Sequence, residues 1–196
     1  IVNGENFDTN NAETALRPDG VASNRFGERV AIDGNTAAIG APNDDDAAAN
    51  AGAVYVFVRS GTTWSQQAKL TVSGVQLLGG SIALEGNTLV FSTRNGTANS
   101  VWVSRRTGTT WSTPTALTPA GGAVGDAFGT SLSLSNGSLA VGAPGVNGAG
   151  SDRGAVYVFV DSGTVFTQQA ILTASNGQDL DSLGWASAID GNVVVA

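Results

Sequence analysis

The chain has 196 residues, a formal net charge of −7, and no Cys, His or Met. The lack of Cys and His excludes disulfides, zinc–thiolate sites, thiol catalysis and a histidine base. The acidic balance argues against nucleic acid, which requires a basic face. No apolar run approaches the length of a membrane span, so we expect no membrane insertion. Lys69 is the single lysine, and we predict that the chain is not an enzyme.

One set of four motifs occurs twice, about one hundred residues apart and with the same internal spacing. The motifs are Phe-Gly, Gly-Ala-Pro, Gly-Ala-Val-Tyr-Val-Phe-Val and Gln-Gln-Ala, which begin at Phe26, Gly40, Gly52 and Gln66 and again at Phe128, Gly142, Gly154 and Gln168. A worn copy begins at Leu78, and in it Val101-Trp102-Val103 is aligned with Tyr55-Val56-Phe57. A further start occurs at Leu183. The period of about 50 residues is typical of propeller repeats.

Each period contains four short apolar runs, which in the first copy are approximately Arg29–Ile32, Thr36–Ile39, Ala53–Arg59 and Trp64–Leu70. The turns Asp33-Gly34-Asn35 and Ser60-Gly61-Thr62 join them in pairs, as expected for hairpins, because glycine tolerates the positive φ of tight turns. The third run is apolar along most of its length, so we expect both of its faces to be buried. The sequence therefore predicts an all-β fold, a β-propeller of four-stranded antiparallel blades.

We expect residues 1–196 to form a single β-propeller domain or part of one, with about three whole blades and a half-blade at each terminus. The predicted units are an outer half-blade (1–25), a blade (26–77), a degenerate blade (78–127), a blade (128–182) and an inner half-blade (183–196). Three arrangements stay open. The chain closes as a small four-bladed ring, the half-blades of different molecules complete one another, or the chain is part of a longer propeller.

Several recurring residues are interpreted as structural. The Phe of Phe-Gly is predicted to be a wedge between neighbouring blades, and the Gly and Ala of Gly-Ala-Pro to allow close approach. Trp64 and Trp111 begin the outermost strand, so packing is expected for both. Asp126 and Asp181 precede the wedge position and are expected to accept backbone hydrogen bonds between blades.

The densest acidic cluster follows the first Gly-Ala-Pro and consists of Asn43, Asp44, Asp45 and Asp46. Hard cations prefer several oxygen ligands, so we predict calcium here. Because adjacent side chains rarely face one point, Asp44 and Asp46 are the better pair. The alternative is a solvated acidic loop.

Two tryptophans, Trp102 and Trp185, have no counterpart at equivalent positions of the other copies. We therefore predict that they form a ligand-binding surface that stacks against sugars.

The Phe-Gly, Gly-Ala-Pro and Tyr-Val-Phe motifs resemble the FG-GAP repeat family, found in integrin α subunits and, in a form closer to this chain, in secreted bacterial proteins. The resemblance covers nearly the whole chain and implies a propeller, usually of seven blades, that acts as an extracellular binding or adhesion module. Integrin-type repeats bind calcium in a loop between the first two strands. The turn Asp33-Gly34-Asn35 is too short for that loop, so this calcium site is not carried over.

Two functions follow as hypotheses. The first is a non-catalytic structural or adhesive module, secreted or at the cell surface, that binds a protein partner or further copies of itself through its terminal half-blades. The alternative is a lectin-like propeller that binds a carbohydrate or another small ligand between blades or at the central channel.

Overall fold

A computed structural model of the chain describes residues 24–94, 101–123, 125–148 and 150–196. The described residues form strands and no helix. The strands are β1 (Val30–Asp33), β2 (Thr36–Ala41), β3 (Ala53–Ser60), β4 (Thr63–Leu70), β5 (Leu78–Glu85), β6 (Thr88–Thr93), β7 (Val101–Thr107), β8 (Thr110–Trp111), β9 (Thr115–Leu117), β10 (Leu132–Ser135), β11 (Ser138–Ala143), β12 (Ala155–Asp161), β13 (Phe166–Leu172), β14 (Ala188–Asp190) and β15 (Val193–Val195). The predicted all-β fold is confirmed.

The strands form antiparallel sheets in the order expected of propeller blades. The first blade has the order β1-β2-β3-β4 and the third the order β10-β11-β12-β13. The second blade has the order β5-β6-β7, and its outer edge is divided between β8 and β9, which both pair with β7. Strands β14 and β15 form a two-stranded sheet. The predicted outer half-blade falls almost entirely on residues 1–23, outside the described residues.

The third strand of each complete blade is covered on both faces, as its apolar sequence predicted. In β3, Val54 and Val56 pack against the second blade, whereas Tyr55 and Phe57 pack on the opposite side with Phe26. In β12 the same division recurs: Tyr157 and Phe159 face the second blade, and Val156 faces the sheet of β14 and β15. Each blade therefore presents an aromatic face to the preceding blade and an aliphatic face to the following one.

The Phe-Gly motif begins each inner strand with a fixed backbone shape. The residue before the Phe position has a φ between 50° and 60° in every copy, in Arg25, Leu77, Ala127 and Ser182. The glycine after it has a φ between 91° and 97° in every copy, in Gly27, Gly79, Gly129 and Gly184. L side chains rarely adopt the second conformation, which explains why the worn copy keeps its glycine although it has lost its phenylalanine.

The residue between these two positions is a wedge between blades, as predicted. Phe128 is buried, and its ring meets those of Tyr157 and Phe159 edge to face, with centroid distances of 5.3 and 6.1 Å. The same cluster contains Val90 and Val101 of the second blade. Leu78, at the equivalent position, is fully buried between the first and second blades.

The glycine of Gly-Ala-Pro lies against the glycine of the next blade's Phe-Gly position. A Cβ added to Gly40 would overlap the carbonyl oxygen of Gly79, and one added to Gly142 would overlap that of Gly184. Backbone therefore meets backbone at the contact between blades, and neither side has room for a methyl group. The close approach predicted for the glycine of Gly-Ala-Pro is therefore an approach to the backbone of the next blade.

We predict that Gly40→Ala lowers the free energy of unfolding by about 2 kcal/mol or more, because the added methyl group must push two blades apart. Chemical denaturation would measure the change. The matched control is Gly148→Ala, since a Cβ at Gly148 meets its nearest atom at an ordinary 3.7 Å. Equal, small effects of the two substitutions would contradict the close contact.

Candidate functional site

The acidic loop that the sequence singled out lies between β2 and β3. Its backbone is anchored by the Asn43 amide, which donates to the carbonyl of Asn24 at 3.1 Å, and by the Asp44 amide, which donates to that of Ala41 at 3.0 Å. Asp44 is fully buried, whereas Asp45 and Asp46 are exposed. The four predicted metal ligands therefore occupy different environments rather than one.

The Asp44 carboxylate is the centre of a polar cluster. Oδ1 accepts hydrogen bonds from Lys69 Nζ at 2.8 Å and from the Asp46 amide at 3.1 Å. Oδ2 accepts from the Tyr55 hydroxyl at 2.6 Å and from Asn24 Nδ2 at 3.2 Å. Four donors satisfy the carboxylate, which offsets the cost of removing its charge from water.

Lys69 occupies the position where a cation was predicted. Its ammonium pairs with both Asp44 and Asp46 and lies 5.0 Å from the centre of the Tyr55 ring. Asp45 instead accepts the amide of Asn50, within the loop. Across the described residues no group of three or more acidic side chains converges on one point. Calcium binding by Asp44 and Asp46 stays a prediction, and it would require the ion to displace the Lys69 ammonium.

Opposing effects set the ionisation of this cluster. Burial alone would raise the pKa of the Asp44 carboxyl, but hydrogen bonds from Lys69, Tyr55 and the Asp46 amide outweigh it and lower that pKa. Burial alone would lower the pKa of Lys69, but hydrogen bonds to Asp44 and Asp46 raise it above its usual value. Burial and the bond to Asp44 raise the pKa of Tyr55. The ion pair is therefore fully charged at neutral pH.

The third blade replaces this ion pair with an apolar pair. Val146 stands in the place of Asp44 and packs at the edge of the core, and Ile171 stands in the place of Lys69. The tyrosine is retained as Tyr157, whose pKa is raised by burial and by the nearby charge of Asp126. Both members of the pair change together. That joint change is the sequence signal that could have identified Lys69 as the partner of Asp44.

The two predicted ligand-binding tryptophans lie in different environments. The pairing of Arg105 with Thr88, like that of Val58 with Thr36, places Trp102 at the position of Tyr55, one residue from the sequence alignment. Trp102 is 6% exposed and packs against the first blade. It is a core residue, so its prediction as a sugar-stacking residue is wrong. Trp185 is 72% exposed, and its role in binding stays a prediction.

Each recurring acid before the wedge position accepts a backbone hydrogen bond within its own turn. Asp126 is buried, and its carboxylate accepts the amide of Ala123 at 2.6 Å. Asp181 accepts the amide of Gln178 at 2.6 Å. A carboxylate that does accept amides across blades lies instead at the end of an inner strand: Glu85, the last residue of β5, accepts the amides of Asn136 and Gly137 at 2.6 and 2.9 Å. The predicted acceptor role is thus local to each blade.

Comparison with known families identifies the repeat. The FG-GAP repeat matches residues 13–57 and 111–159, and both matched segments end within the third strand of a blade. These two segments of the chain are FG-GAP repeats. The FG-GAP repeat is a propeller repeat, typical of extracellular or surface proteins. A search of the curated proteins found no match. The described part of the chain has no helix that could cross a bilayer.

We predict that Lys69→Ile lowers the free energy of unfolding by about 3 kcal/mol, because it leaves the Asp44 charge buried without its partner. The triple variant Asn24→Asp, Asp44→Val, Lys69→Ile copies the third blade, and we expect it to regain most of that loss. Urea denaturation of both variants would measure the difference. A triple variant less stable than Lys69→Ile alone would contradict this interpretation.

The cluster also predicts how stability depends on pH. The lowered pKa of Asp44 contributes stability above the usual Asp value of 3.8, and this is lost as pH falls through the folded-state pKa. The raised pKa of Lys69 contributes stability below 10.5, and this is lost as pH rises through the folded-state pKa. Denaturation midpoints across the pH range should show both losses in the wild type. In the triple variant both should shrink, and an unchanged profile would contradict the assignment.

Proposed function

We propose that the chain is a non-catalytic structural or adhesive module, secreted or at the cell surface, that associates with further copies by stacking blades head to tail. One observation carries the proposal. An exposed apolar surface lies at each end of the row of blades. The leading surface is formed by Val30 and Ile32 of β1, and the trailing surface by Val193 and Val195 of β15.

Both surfaces are widely open to solvent. Val30 and Ile32 are 68% and 57% exposed, and Val193 and Val195 are 64% and 66% exposed. Single exposed apolar residues are common on protein surfaces. Here, however, they come in pairs at alternate positions of a strand, the spacing that places them on one face of a sheet. A pair of this kind is suited to packing against another sheet.

The chain builds the corresponding interface internally. Ala38 of β2 stands in the place of Val195, is fully buried, and belongs to the core that joins the first two blades. Ile82 and Leu84 of β5, in the places of Val30 and Ile32, pack against that same core. The trailing and leading surfaces therefore match the two sides of an existing contact. Such a contact is heterologous and joins unlike surfaces of successive copies.

The outer edge of β15 supports the same proposal. The second strands β2, β6 and β11 each pair with a third strand, whereas β15 pairs only with β14 among the described residues. An unpaired strand edge offers a row of amides and carbonyls to an incoming strand. A further copy can thus supply both a sheet to cover the trailing surface and a strand to pair with β15, so that half-blades complete one another.

A non-catalytic role at the surface agrees with the residue types and the family. The sequence has no His or Cys, and its single lysine is paired with two carboxylates. FG-GAP propellers are generally not enzymes and are typical of extracellular or surface proteins. An adhesive module needs binding surfaces rather than a reactive group, and the leading and trailing surfaces are suited to that role.

We predict that light scattering will show a mass that rises with protein concentration for the wild type. Val195→Lys places a charge in the trailing surface, and we expect it to weaken association at least about tenfold, because burying an unpaired charge is costly. Val165→Lys is the matched control, since Val165 is 60% exposed and lies on neither surface. A wild type that stays monomeric throughout, or a Val195→Lys variant that associates normally, would contradict the proposal.

A further inference from the structure

A groove lies between the outer edges of the second and third blades, away from both the Asp44 cluster and the leading and trailing surfaces. Its volume is about 450 Å³. Its apolar lining includes Val103, Leu117 and Phe166. The polar residues Ser112, Thr115 and Thr164 also line it. The groove therefore combines an apolar surface with several polar groups, as small-molecule sites do.

The groove is open because a side-chain contact that bridges the first and second blades has no counterpart between the second and third blades. Between the first and second blades, Trp111 Nε1 donates to Gln67 Oε1 at 2.9 Å. The strand register places Pro114 at the position of Gln67 and Phe166 at the position of Trp111. Neither Pro nor Phe can make that hydrogen bond. The joint replacement leaves space where the other interface is bridged.

The break in the outer strand of the second blade is stabilised by hydrogen bonds. Pro114 separates β8 from β9, yet the polar groups beside it are satisfied. The Ser112 hydroxyl accepts the Arg105 amide at 3.1 Å, and the Ser104 hydroxyl donates to the Ser112 carbonyl at 2.7 Å. Side chains thus replace the missing ladder bonds and keep the groove open without leaving those groups unpaired.

One wall of the groove contains Arg105, whose charge is neutralised and whose position is fixed by its neighbours. The Arg105 guanidinium makes two 2.7 Å hydrogen bonds with the Asp161 carboxylate and a 3.0 Å bond with Thr88. It also lies 5.3 Å from the centre of the Phe166 ring. At the first interface Val58 and Arg106 stand in the places of Arg105 and Asp161, so this bidentate pair is particular to the groove.

We infer that this groove binds an uncharged oligosaccharide. Because Asp161 neutralises Arg105, the wall offers no net charge to attract an ion. A sugar ring presents apolar C–H groups, which suit Phe166 and Val103, and hydroxyls, which suit the Ser and Thr side chains. The volume is within the range of small-ligand sites. The inference goes beyond the assembly proposal and does not depend on it.

The test is calorimetric titration of the full chain with maltotriose, cellotriose and chitotriose, at low and high salt. We expect at least one to bind, with an affinity that salt leaves unchanged, because the ligand is uncharged. The double variant Pro114→Gln, Phe166→Trp rebuilds the Gln67–Trp111 contact and fills the groove. It should weaken binding at least about tenfold while the melting temperature is maintained.

Two further variants locate the binding site. Thr115→Val removes one hydroxyl of the groove with little change in shape, and we expect a several-fold loss of affinity. Leu180→Ala, at an exposed site elsewhere, should leave affinity unchanged. The inference is overturned if none of the three sugars binds the wild type, or if binding survives undiminished in the groove-filled variant. Loss of binding in Trp185→Ala would then place the site at that exposed tryptophan. A monomeric chain that binds sugar would overturn only the assembly proposal.

Discussion

Neighbouring blades meet in a contact of backbone with backbone, Gly40 against Gly79 and Gly142 against Gly184. Much of the architecture depends on it. The contact requires glycine on both sides, and Gly79 and Gly184 also hold a positive φ that directs the preceding residue between the blades. Once the blades are this close, the aliphatic face of one meets the aromatic face of the next. The head-to-tail polarity of the stack follows from that pairing of unlike faces.

The backbone contact is the same at both interfaces between blades, but the side chains around it differ. They differ in pairs, with both partners of a contact replaced together. The first blade holds a buried Asp44–Lys69 ion pair where the third has Val146 and Ile171. Exchanges of this kind are tolerated when both partners change, because a lone buried charge is far more costly than either a complete ion pair or an apolar pair. Replacement of the Gln67–Trp111 contact follows the same rule and produces a groove rather than a sealed interface. Variation between blades thus creates candidate sites without disturbing the stack.

Much of the fold could be predicted from sequence because the same motifs and turns recur in successive repeats. The paired motifs and the turns at Gly34 and Gly61 lead directly to the strands and the blades. The Asp44 cluster could not be predicted in the same way, because Lys69 reaches it through strand pairing rather than through a local motif. Trp102 was misassigned for a related reason. A shift of one residue in the alignment of a strand moves every side chain to the opposite face. The shift aligned Trp102 with Val56 and hid its equivalence to the buried aromatic Tyr55, which the register of the pairing reveals.

The central claim is that the trailing surface of one molecule packs on the leading surface of another, and the Cys-free sequence allows a direct test. Val195→Cys and Ile32→Cys are prepared separately, oxidised alone, and then oxidised as a mixture. A heterologous contact brings unlike positions together, so we predict disulfide-linked dimers in the mixture and almost none in either variant alone. Cross-linking of each variant with itself, or no cross-linking in the mixture, would contradict head-to-tail stacking.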